Sequence, residues 1–334
     1  SDPNASKALS KSAIAFLLVF THSSFNNFWI QFKLREQIKK QFEHYLAPAM
    51  VKKLQKDPNL LKLGGDTRKL TLLFCDIRGF TPISEQYKTN PQGLTELVNR
   101  FLTPMTNIIM EKEGTVDKYM GDCIMAFWNA PLDVDEQADK AVDTSLLMLK
   151  GLDELNTQLT AENKLPINIG IGLNTGDAVV GNMGSDQRFD YSCLGDAVNL
   201  AARLEGQTKG YGVKILFGEE TAKSLSDKHT ILELDQIAVK GKTEPVAIYT
   251  VLDPDVVGIN DLPTLMQFVK LHMALRKSYR KQDWKHCKDC IDNLMGQFDG
   301  SLDSYYEIIT DRIEEFKKNP PSKEWDGVYV ATTK

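Results

Sequence analysis

Hydrophobic residues near the start of the chain follow helical patterns. An apolar run over 13–20 is shorter than the roughly 18 residues that a membrane-spanning helix needs. It is either the end of a spanning segment that begins further upstream or a helix of a core or dimer. Further on, Leu34, Ile38 and Phe42 fall near one helical face until Pro48 interrupts the pattern. This spacing predicts a signalling or dimerisation helix, or a helix that packs on its own domain.

The middle of the chain alternates between the period of a strand and the period of a helix. Short apolar runs bounded by turn residues predict strands over 70–75, 115–119, 124–128, 167–173, 178–182, 214–217, 231–234 and 248–252. Helical spacing predicts helices over 93–112, 133–159 and 199–205. The order matches a split βαββαβ arrangement, so we predict an α+β fold with a ferredoxin-like core.

After Asp253 and Pro254 the pattern becomes helical and rich in aromatic and charged residues. Helices are predicted over 262–279, 283–295 and 305–317. They form either an accessory unit similar to tetratricopeptide repeats or a helical cap packed on the core. The predicted organisation is a helical connector over 1–63, an α+β domain over 64–253 and a helical region over 254–334.

The composition is that of an ordinary globular protein of 334 residues, with 42% hydrophobic and 25% charged residues. The net charge of -5 argues against nucleic-acid binding, which needs a basic patch or stripe. An anionic substrate must therefore be held by local charge and metal ions.

The five cysteines are scattered and odd in number, unlike a secreted disulfide framework. A reducing compartment is the better interpretation. Cys287 and Cys290 form a CxxC pair, but no second Cys or His pair stands at the spacing of a metal finger. The pair is therefore interpreted as part of a helix.

Two carboxylates follow hydrophobic strands. Asp76 comes after the run 70–75 in FCDIRGF, and Asp122 follows Gly121 in a predicted hairpin turn within DKYMGD. Each alone is more often a turn or helix-cap residue. Together they provide the hard oxygen ligands that phosphoryl chemistry needs for Mg²⁺.

A third motif, YSCLGDAVNLAARLE, places Asn199 and Arg203 four residues apart on one helical face. Such a pair can act together on a ligand. The same spacing is usual for solvent-facing hydrogen-bonding pairs, so by itself it supports a functional role only weakly.

Three motifs in this order resemble the catalytic motifs of class III adenylyl and guanylyl cyclases, namely FCDIRGF, DKYMGDCIMAF and YSCLGDAVNLAARLE. The resemblance runs from Gly64 to Leu252 and includes VKGKTEPVAIY. The preceding REQIKKQFEHYLAPAMVKKL resembles the connector between membrane-bound sensor domains and the cyclase unit of bacterial receptor cyclases. The resemblance implies a cytoplasmic catalytic region of an inner-membrane protein with an upstream membrane sensor domain.

The resemblance also implies an adenylate cyclase that converts ATP to 3′,5′-cyclic AMP and pyrophosphate with two Mg²⁺ or Mn²⁺ ions per active site. It assigns roles in metal binding, base reading, phosphate contact and transition-state stabilisation. The metal ligands are Asp76, Asp122 and the backbone carbonyl of Ile77. The other site residues are Lys118 and Ser192 for the base, Lys240 for a phosphate, and Asn199 and Arg203 for the transition state.

The choice of base follows from donors and acceptors. Lys118 can only donate, so it matches the N1 acceptor of adenine and opposes the N1 donor of guanine. The Ser192 hydroxyl both donates and accepts, so it serves either base. Many family members carry Asp at this position and one subgroup carries Thr, and some of that subgroup respond to bicarbonate. Cys193 lies one residue out of register with a guanine-reading cysteine.

One short hairpin carries both Lys118 and Asp122, which makes it hard to aim both at the same nucleotide. In the homodimers of the family, Asp76 and Asp122 of one protomer would meet the other site residues of its partner, so a monomer would hold half-sites. The alternatives are a guanylate cyclase and a non-catalytic nucleotide-binding dimerisation module. A diguanylate cyclase is disfavoured because the sequence has no GGDEF motif.

Overall fold

The computed structural model describes residues 3–42, 63–237, 245–253, 255, 262–322 and 324–328. It contains two compact units, Ser1–Leu60 and Leu61–Lys334. The described part of the first unit forms helix α1 (Pro3–Phe42), which includes the apolar run 13–20, and its side chains are exposed over 16–34. None of the described helices has the length and apolar character needed to span a bilayer. The predicted interruption at Pro48 lies outside the described residues.

The described part of the second unit is built on an eight-stranded sheet. Its strands are β1 (Gly64–Ile77), β2 (Thr115–Met120), β3 (Cys123–Trp128), β4 (Ile169–Ser185), β5 (Arg188–Leu194), β6 (Ile215–Gly218), β7 (Ile231–Ile237) and β8 (Val246–Val251). Their order is β2-β3-β1-β4-β6-β8-β7, and β5 pairs with β4 beside this path. Only the β4–β6 pair among them is parallel.

Helices connect these strands in the predicted order. They are α2 (Phe80–Gln86), α3 (Pro91–Glu111), α4 (Gln137–Ala161), α5 (Asp196–Gln207) and α6 (Glu219–Ser224). Helices α2 and α3 lie between β1 and β2, and α4 lies between β3 and β4. With β2-β3-β1-β4 as neighbours, this is the βαββαβ arrangement, and the predicted α+β fold is confirmed.

The two faces of the sheet bury different sets of side chains. Leu73 and Cys75 of β1 pack with α3 and α4, whereas Leu72 and Phe74 pack with α5 on the opposite face. Successive strand residues point to opposite faces. Asp76 therefore continues the second set and leaves β1 on the side that α5 covers.

The prediction of two separate strands over 167–173 and 178–182 is wrong, because β4 is continuous. Polar residues interrupt the apolar pattern between these ranges, yet Thr175 is buried there. Its hydroxyl lies 3.0 Å from the hydroxyls of both Thr71 and Thr221. Side-chain hydrogen bonds and continuous pairing with β1 thus keep a polar segment within the strand.

The C-terminal region forms α7 (Leu262–Arg280), α8 (Trp284–Leu294), a 3-10 helix (Gln297–Gly300) and α9 (Asp303–Lys318). These helices share a hydrophobic core with the β7–β8 edge of the sheet, where Leu234 and Ile248 pack with Leu275, Tyr279 and Tyr305. The helices and the sheet therefore belong to one compact unit. A domain boundary at 253 and the likeness to tetratricopeptide repeats stay predictions.

A buried ionic cluster joins α7 and α9 to β7. The Asp235 side chain is fully buried, and its Oδ1 accepts from Nη2 of Arg276 at 2.9 Å while its Oδ2 accepts from Nη1 of Arg312 at 2.7 Å. The hydroxyl of Tyr211 also donates to Oδ2, at 2.9 Å. The positive charges of two guanidinium groups are therefore compensated by one carboxylate that is shielded from water.

We expect Asp235→Ala to lower the free energy of unfolding by about 3–5 kcal/mol, because it removes the charge that compensates two buried guanidinium groups. Urea denaturation followed by circular dichroism measures the change. The control is Glu162→Gln, which removes an exposed ion pair with Arg100 and should shift the urea midpoint far less. Equal shifts for the two variants would contradict the importance of the buried cluster.

Candidate active site

The first predicted metal ligand lies at the end of β1. Asp76 is half-buried and pairs with Gly170 of β4. Its Oδ1 accepts a hydrogen bond from the backbone N–H of Ile77, the last residue of β1, at 3.1 Å. The strand end therefore orients the carboxylate. Metal binding by the Ile77 carbonyl stays a prediction.

The second predicted ligand lies in the turn between β2 and β3. Gly121 has φ = 71° there, a conformation that favours glycine. Asp122 is half-buried, and its Oδ2 is shielded from solvent with no hydrogen-bond partner in the described part of the chain. Burial and the neighbouring Asp76 carboxylate raise the pKa of Asp122 to about 6. The structure thus brings the two predicted carboxylates together.

This carboxylate pair fits a hard divalent cation. A cation beside Asp122 would satisfy its buried oxygen and offset the repulsion from Asp76. No group of three or more His, Cys, Asp and Glu side chains within the described ranges is placed to hold a metal ion. A pair of carboxylates suits Mg²⁺, which keeps several waters and commonly binds one or two carboxylates together with substrate phosphates. Burial raises the pKa of the adjacent Cys123 thiol to about 12.

Metal binding is expected to weaken as the pH falls through about 6. The raised pKa means that Asp122 is protonated below that pH, and a cation must then displace the proton. Each further unit of acidification should lower the apparent affinity for Mn²⁺ about tenfold, whereas affinity should level off above about pH 7. Calorimetric titrations of Mn²⁺ between about pH 5 and pH 8 measure this. An Asp122→Asn protein should bind more weakly with a flatter pH profile, and an unchanged profile would contradict the assignment.

A third carboxyl group, that of Glu205 in α5, is coupled to this pair and was not among the predicted site residues. Burial raises the pKa of Glu205 to about 7, repulsion from Asp76 adds to the rise, and Arg78 opposes it. The glycine at 170 allows the close approach of α5, since a Cβ there would lie 2.9 Å from Glu205 Oε1. The one feature of the sequence that pointed to Glu205 was its position at the end of the motif segment NLAARLE. The coupling itself arises from tertiary packing.

A β-bulge in β2 brings together two residues that are adjacent in sequence. The register with β3 shifts between Val116 and Lys118, so Asp117 is the extra residue. Neighbours in a regular strand point to opposite faces. Here Lys118 Nζ lies 3.3 Å from Asp117 Oδ1, and the Asp117 side chain is fully buried. The bulge thus aims a buried carboxylate at the predicted base-reading lysine.

The other predicted base-reading residue joins the same cluster. Ser192 of β5 is buried, and its hydroxyl donates to Asp117 Oδ2 at 2.7 Å. Burial raises the pKa of Asp117, while the hydrogen bond from Ser192 and the nearby charge of Lys118 oppose the rise. Asp117 carried no role in the sequence prediction, although it precedes Lys118 in the second motif.

The predicted transition-state residues lie on α5. This helix begins after Gly195, whose φ of 153° favours glycine. Asn199 and Arg203 are about one turn apart on an exposed face. Lys240, the predicted phosphate contact, lies outside the described residues. The described chain therefore presents a carboxylate pair, a cluster around Asp117 that contains both predicted base-reading residues, and a polar face of α5.

Comparisons with known proteins identify one family that this chain matches. Residues 65–253 match the family model described as the adenylate and guanylate cyclase catalytic domain. An adenylate cyclase of Anabaena cylindrica is 40% identical over 192 residues, which cover 55% of this chain and 37% of that protein. The chain spans less than half the length of the first curated relatives that it matches.

Two solved structures resemble the chain to a similar degree. The adenylyl cyclase CyaB from P. aeruginosa is 38% identical with a TM-score of 0.53, over 60% of this chain and 100% of that one. The guanylyl cyclase Cya2 is 34% identical with a TM-score of 0.53, over 60% of this chain and 97% of that one. The comparisons therefore include relatives with either base preference.

Proposed function

The chain belongs to the adenylate and guanylate cyclase catalytic-domain family, and on that basis we propose that it converts ATP to 3′,5′-cyclic AMP and pyrophosphate. The observation that carries the proposal is the coupled carboxylate pair Asp76 and Asp122 within the matched range. Burying two repelling carboxylates costs stability, and a module that served only for dimerisation would gain nothing from them. A cyclase would use them to bind metal ions, which in turn would hold the phosphates of its substrate.

Asp76 and Asp122, with the Ile77 carbonyl, would hold two Mg²⁺ or Mn²⁺ ions. Ions bound there supply Lewis acidity at the polyphosphate and lower the pKa of the ribose 3′-hydroxyl. The chain orients these ligands through the Ile77 N–H, which holds Asp76, and through the tight turn at Gly121, which presents Asp122.

The polar face of α5 is proposed to act at the reacting phosphate. The 3′-hydroxyl attacks the α-phosphorus and pyrophosphate leaves, so the reaction needs no protein nucleophile. Negative charge develops on the α-phosphate oxygens, and the Arg203 guanidinium can stabilise it through paired N–H donors. Asn199, about one turn earlier, can orient the same group, and Lys240 would contact a phosphate.

The preference for ATP rests on the base-reading group, because the related structures include both an adenylyl and a guanylyl cyclase. Lys118 carries only donors, which match adenine N1 and oppose the N1–H of guanine. Its side chain is 42% exposed, so it remains accessible to a nucleotide. A guanylate cyclase is the second candidate, favoured by the likeness to Cya2.

We expect Lys118→Glu to reduce the preference for ATP over GTP about tenfold to a hundredfold, because an acceptor would then face the N1 acceptor of adenine. Rates with both nucleotides at saturating metal measure the ratio. Tyr119→Phe, a change at the neighbouring residue on the same strand, serves as the control and should keep the ratio. An unchanged ratio in Lys118→Glu would mean that Lys118 does not read the base.

The active site is proposed to form between two copies of the chain. In this arrangement the carboxylate pair of one protomer meets Lys118, Ser192 and the α5 residues of its partner. Three cavities of the single chain, of about 720, 510 and 410 Å³, are lined by none of the predicted site residues.

The regulatory context is a further part of the proposal. The exposed aromatic residues Phe25, Phe28 and Trp29 of α1 suit a position near a membrane interface, where aromatic side chains are enriched. The connector-like sequence supports the proposal of an upstream membrane sensor and an inner-membrane location. The hydroxyl of Ser192 also supports regulation by bicarbonate, to which some members of the resembling hydroxyl-bearing subgroup respond.

The deciding experiment incubates the purified chain with ATP or GTP and with Mg²⁺ or Mn²⁺, and identifies the product by mass spectrometry. We expect cyclic AMP from ATP in the presence of either metal and none after chelation. Cyclic GMP as the main product would replace the proposal with a guanylate cyclase. A dimeric protein that makes no cyclic product with either metal would support the dimerisation module instead.

A further inference from the structure

We propose that Asp117 sets the hydrogen-bonding direction of Ser192 and thereby makes the base site select the 6-amino group of adenine. This inference rests on the proposed function, because it concerns the same base-reading group. A serine hydroxyl that is free to rotate can donate to guanine or accept from adenine, so the residue type alone does not select a base. A fixed direction of the Ser192 hydrogen bond would select one.

The geometry of the cluster determines which atom donates. Ser192 Oγ lies 2.7 Å from Asp117 Oδ2, and Lys118 Nζ lies 3.3 Å from Oδ1 of the same carboxylate. An ionised carboxylate only accepts hydrogen bonds. Burial raises the pKa of Asp117, but the Ser192 hydrogen bond and the ammonium group of Lys118 favour the ionised form. The Ser192 proton is therefore directed at Asp117.

Once its proton is directed inward, the Ser192 oxygen presents only lone pairs to a ligand. The 6-amino group of adenine donates to such an acceptor, whereas the O6 of guanine would meet oxygen lone pairs without a proton between them. Lys118 supplies the complementary donor for adenine N1. Adenine and guanine differ in their hydrogen-bonding groups at positions 1 and 6. At both positions the protein would then offer the group that matches adenine.

The β-bulge is what makes this arrangement available. In a regular strand Asp117 and Lys118 would point to opposite faces, and the carboxylate would not reach both the lysine and Ser192. Asp117 is itself fully buried and makes its contacts inside the protein. It therefore acts as a positioning residue, whose effect on the substrate passes through Ser192.

Asp117→Asn is the informative substitution, because its effect on the direction of the hydrogen bond can be worked out. The amide oxygen would turn toward the Lys118 ammonium, which can only donate, and the NH₂ group would turn toward Ser192. Ser192 would then accept from the amide and release its own proton toward the base. The variant should therefore use the O6 of guanine better and the amino group of adenine worse.

The experiment compares kcat/KM for ATP, GTP and purine riboside 5′-triphosphate, which lacks the 6-amino group. In the unmodified protein we expect ATP to be preferred over both by on the order of tenfold to a hundredfold. In Asp117→Asn the preference for ATP over GTP should fall at least about tenfold, and the benefit of the 6-amino group should largely disappear. Asp190→Asn, an exposed change on the same strand as Ser192, is the matched control and should keep both ratios.

Ser192 variants complete the test. Ser192→Ala should abolish the preference for ATP over the nucleotide that lacks the 6-amino group, and Ser192→Thr should retain that preference. In the Ser192→Ala background, Asp117→Asn should change the ratio of kcat/KM for ATP to that for GTP only slightly. This series decides the question even if Asp117→Asn folds poorly, because retention of the 6-amino preference in Ser192→Ala overturns the inference.

A purely structural Asp117 would lower kcat/KM for all three nucleotides equally in Asp117→Asn, and that outcome overturns the inference while leaving the cyclase assignment intact. Failure of the unmodified protein to form any cyclic nucleotide overturns the proposed function, and the inference with it.

Discussion

Replacing Asp76 with Ala is expected to lower the rate of cyclic AMP formation at least about a thousandfold. The carboxylate is proposed to supply one of the two metal-binding side chains, and metal ions contribute several kcal/mol of transition-state stabilisation to reactions of this kind. The fold should survive, because Asp76 is half-buried at the end of β1 and lies outside the hydrophobic clusters.

Circular dichroism and the urea midpoint verify the fold of Asp76→Ala, and a rate assay with excess Mn²⁺ measures the loss. Asp66→Ala provides a matched control, since Asp66 is an exposed aspartate of the same strand. Near-normal turnover in folded Asp76→Ala protein would rule out the metal-binding role.

Mixing two inactive variants is expected to restore activity if the site is shared between protomers. A heterodimer of Asp76→Ala and Arg203→Ala chains combines both lesions in one site and leaves the other site intact. With random subunit exchange, half of the dimers carry one intact site of two, so activity should recover to about a quarter of that of the unmodified protein.

The control for this experiment mixes Asp76→Ala with Asp122→Ala. Both residues are proposed to come from the same protomer of a given site, so each site of that heterodimer keeps one lesion and activity should stay absent. Subunit exchange must be demonstrated in both mixtures, for example with differently tagged chains. No recovery in the first mixture despite exchange would show that the site residues belong to one chain.

Local chain properties were sufficient to predict the carboxylates and the order of elements. Asp76 lies at the end of β1 and Asp122 lies in the turn after β2, so the short motifs around them were enough to predict where they lie. The family resemblance drawn from those motifs is confirmed by the match over 65–253. Alternation within β1 likewise determines that Asp76 leaves the sheet on the side of Phe74.

Contacts between distant residues decided the rest. The sequence around Thr175 is polar and predicts a break in β4. The strand is continuous because it pairs with β1 and because the hydroxyls of Thr71 and Thr221 form hydrogen bonds with the buried Thr175 hydroxyl. The packing of the C-terminal helices on β7 and β8 depends on their shared core and on the Asp235 cluster.

The amino-acid sequence by itself determined the α+β order, the carboxylate motifs and the donor character of Lys118. Only the tertiary structure decided that Asp117 is buried beside Lys118, that Ser192 donates to it, and that Glu205 is coupled to the carboxylate pair. The reason is physical: a residue type carries its donors and acceptors with it, but the direction of a hydrogen bond and the pKa of a buried acid depend on neighbours brought close by folding.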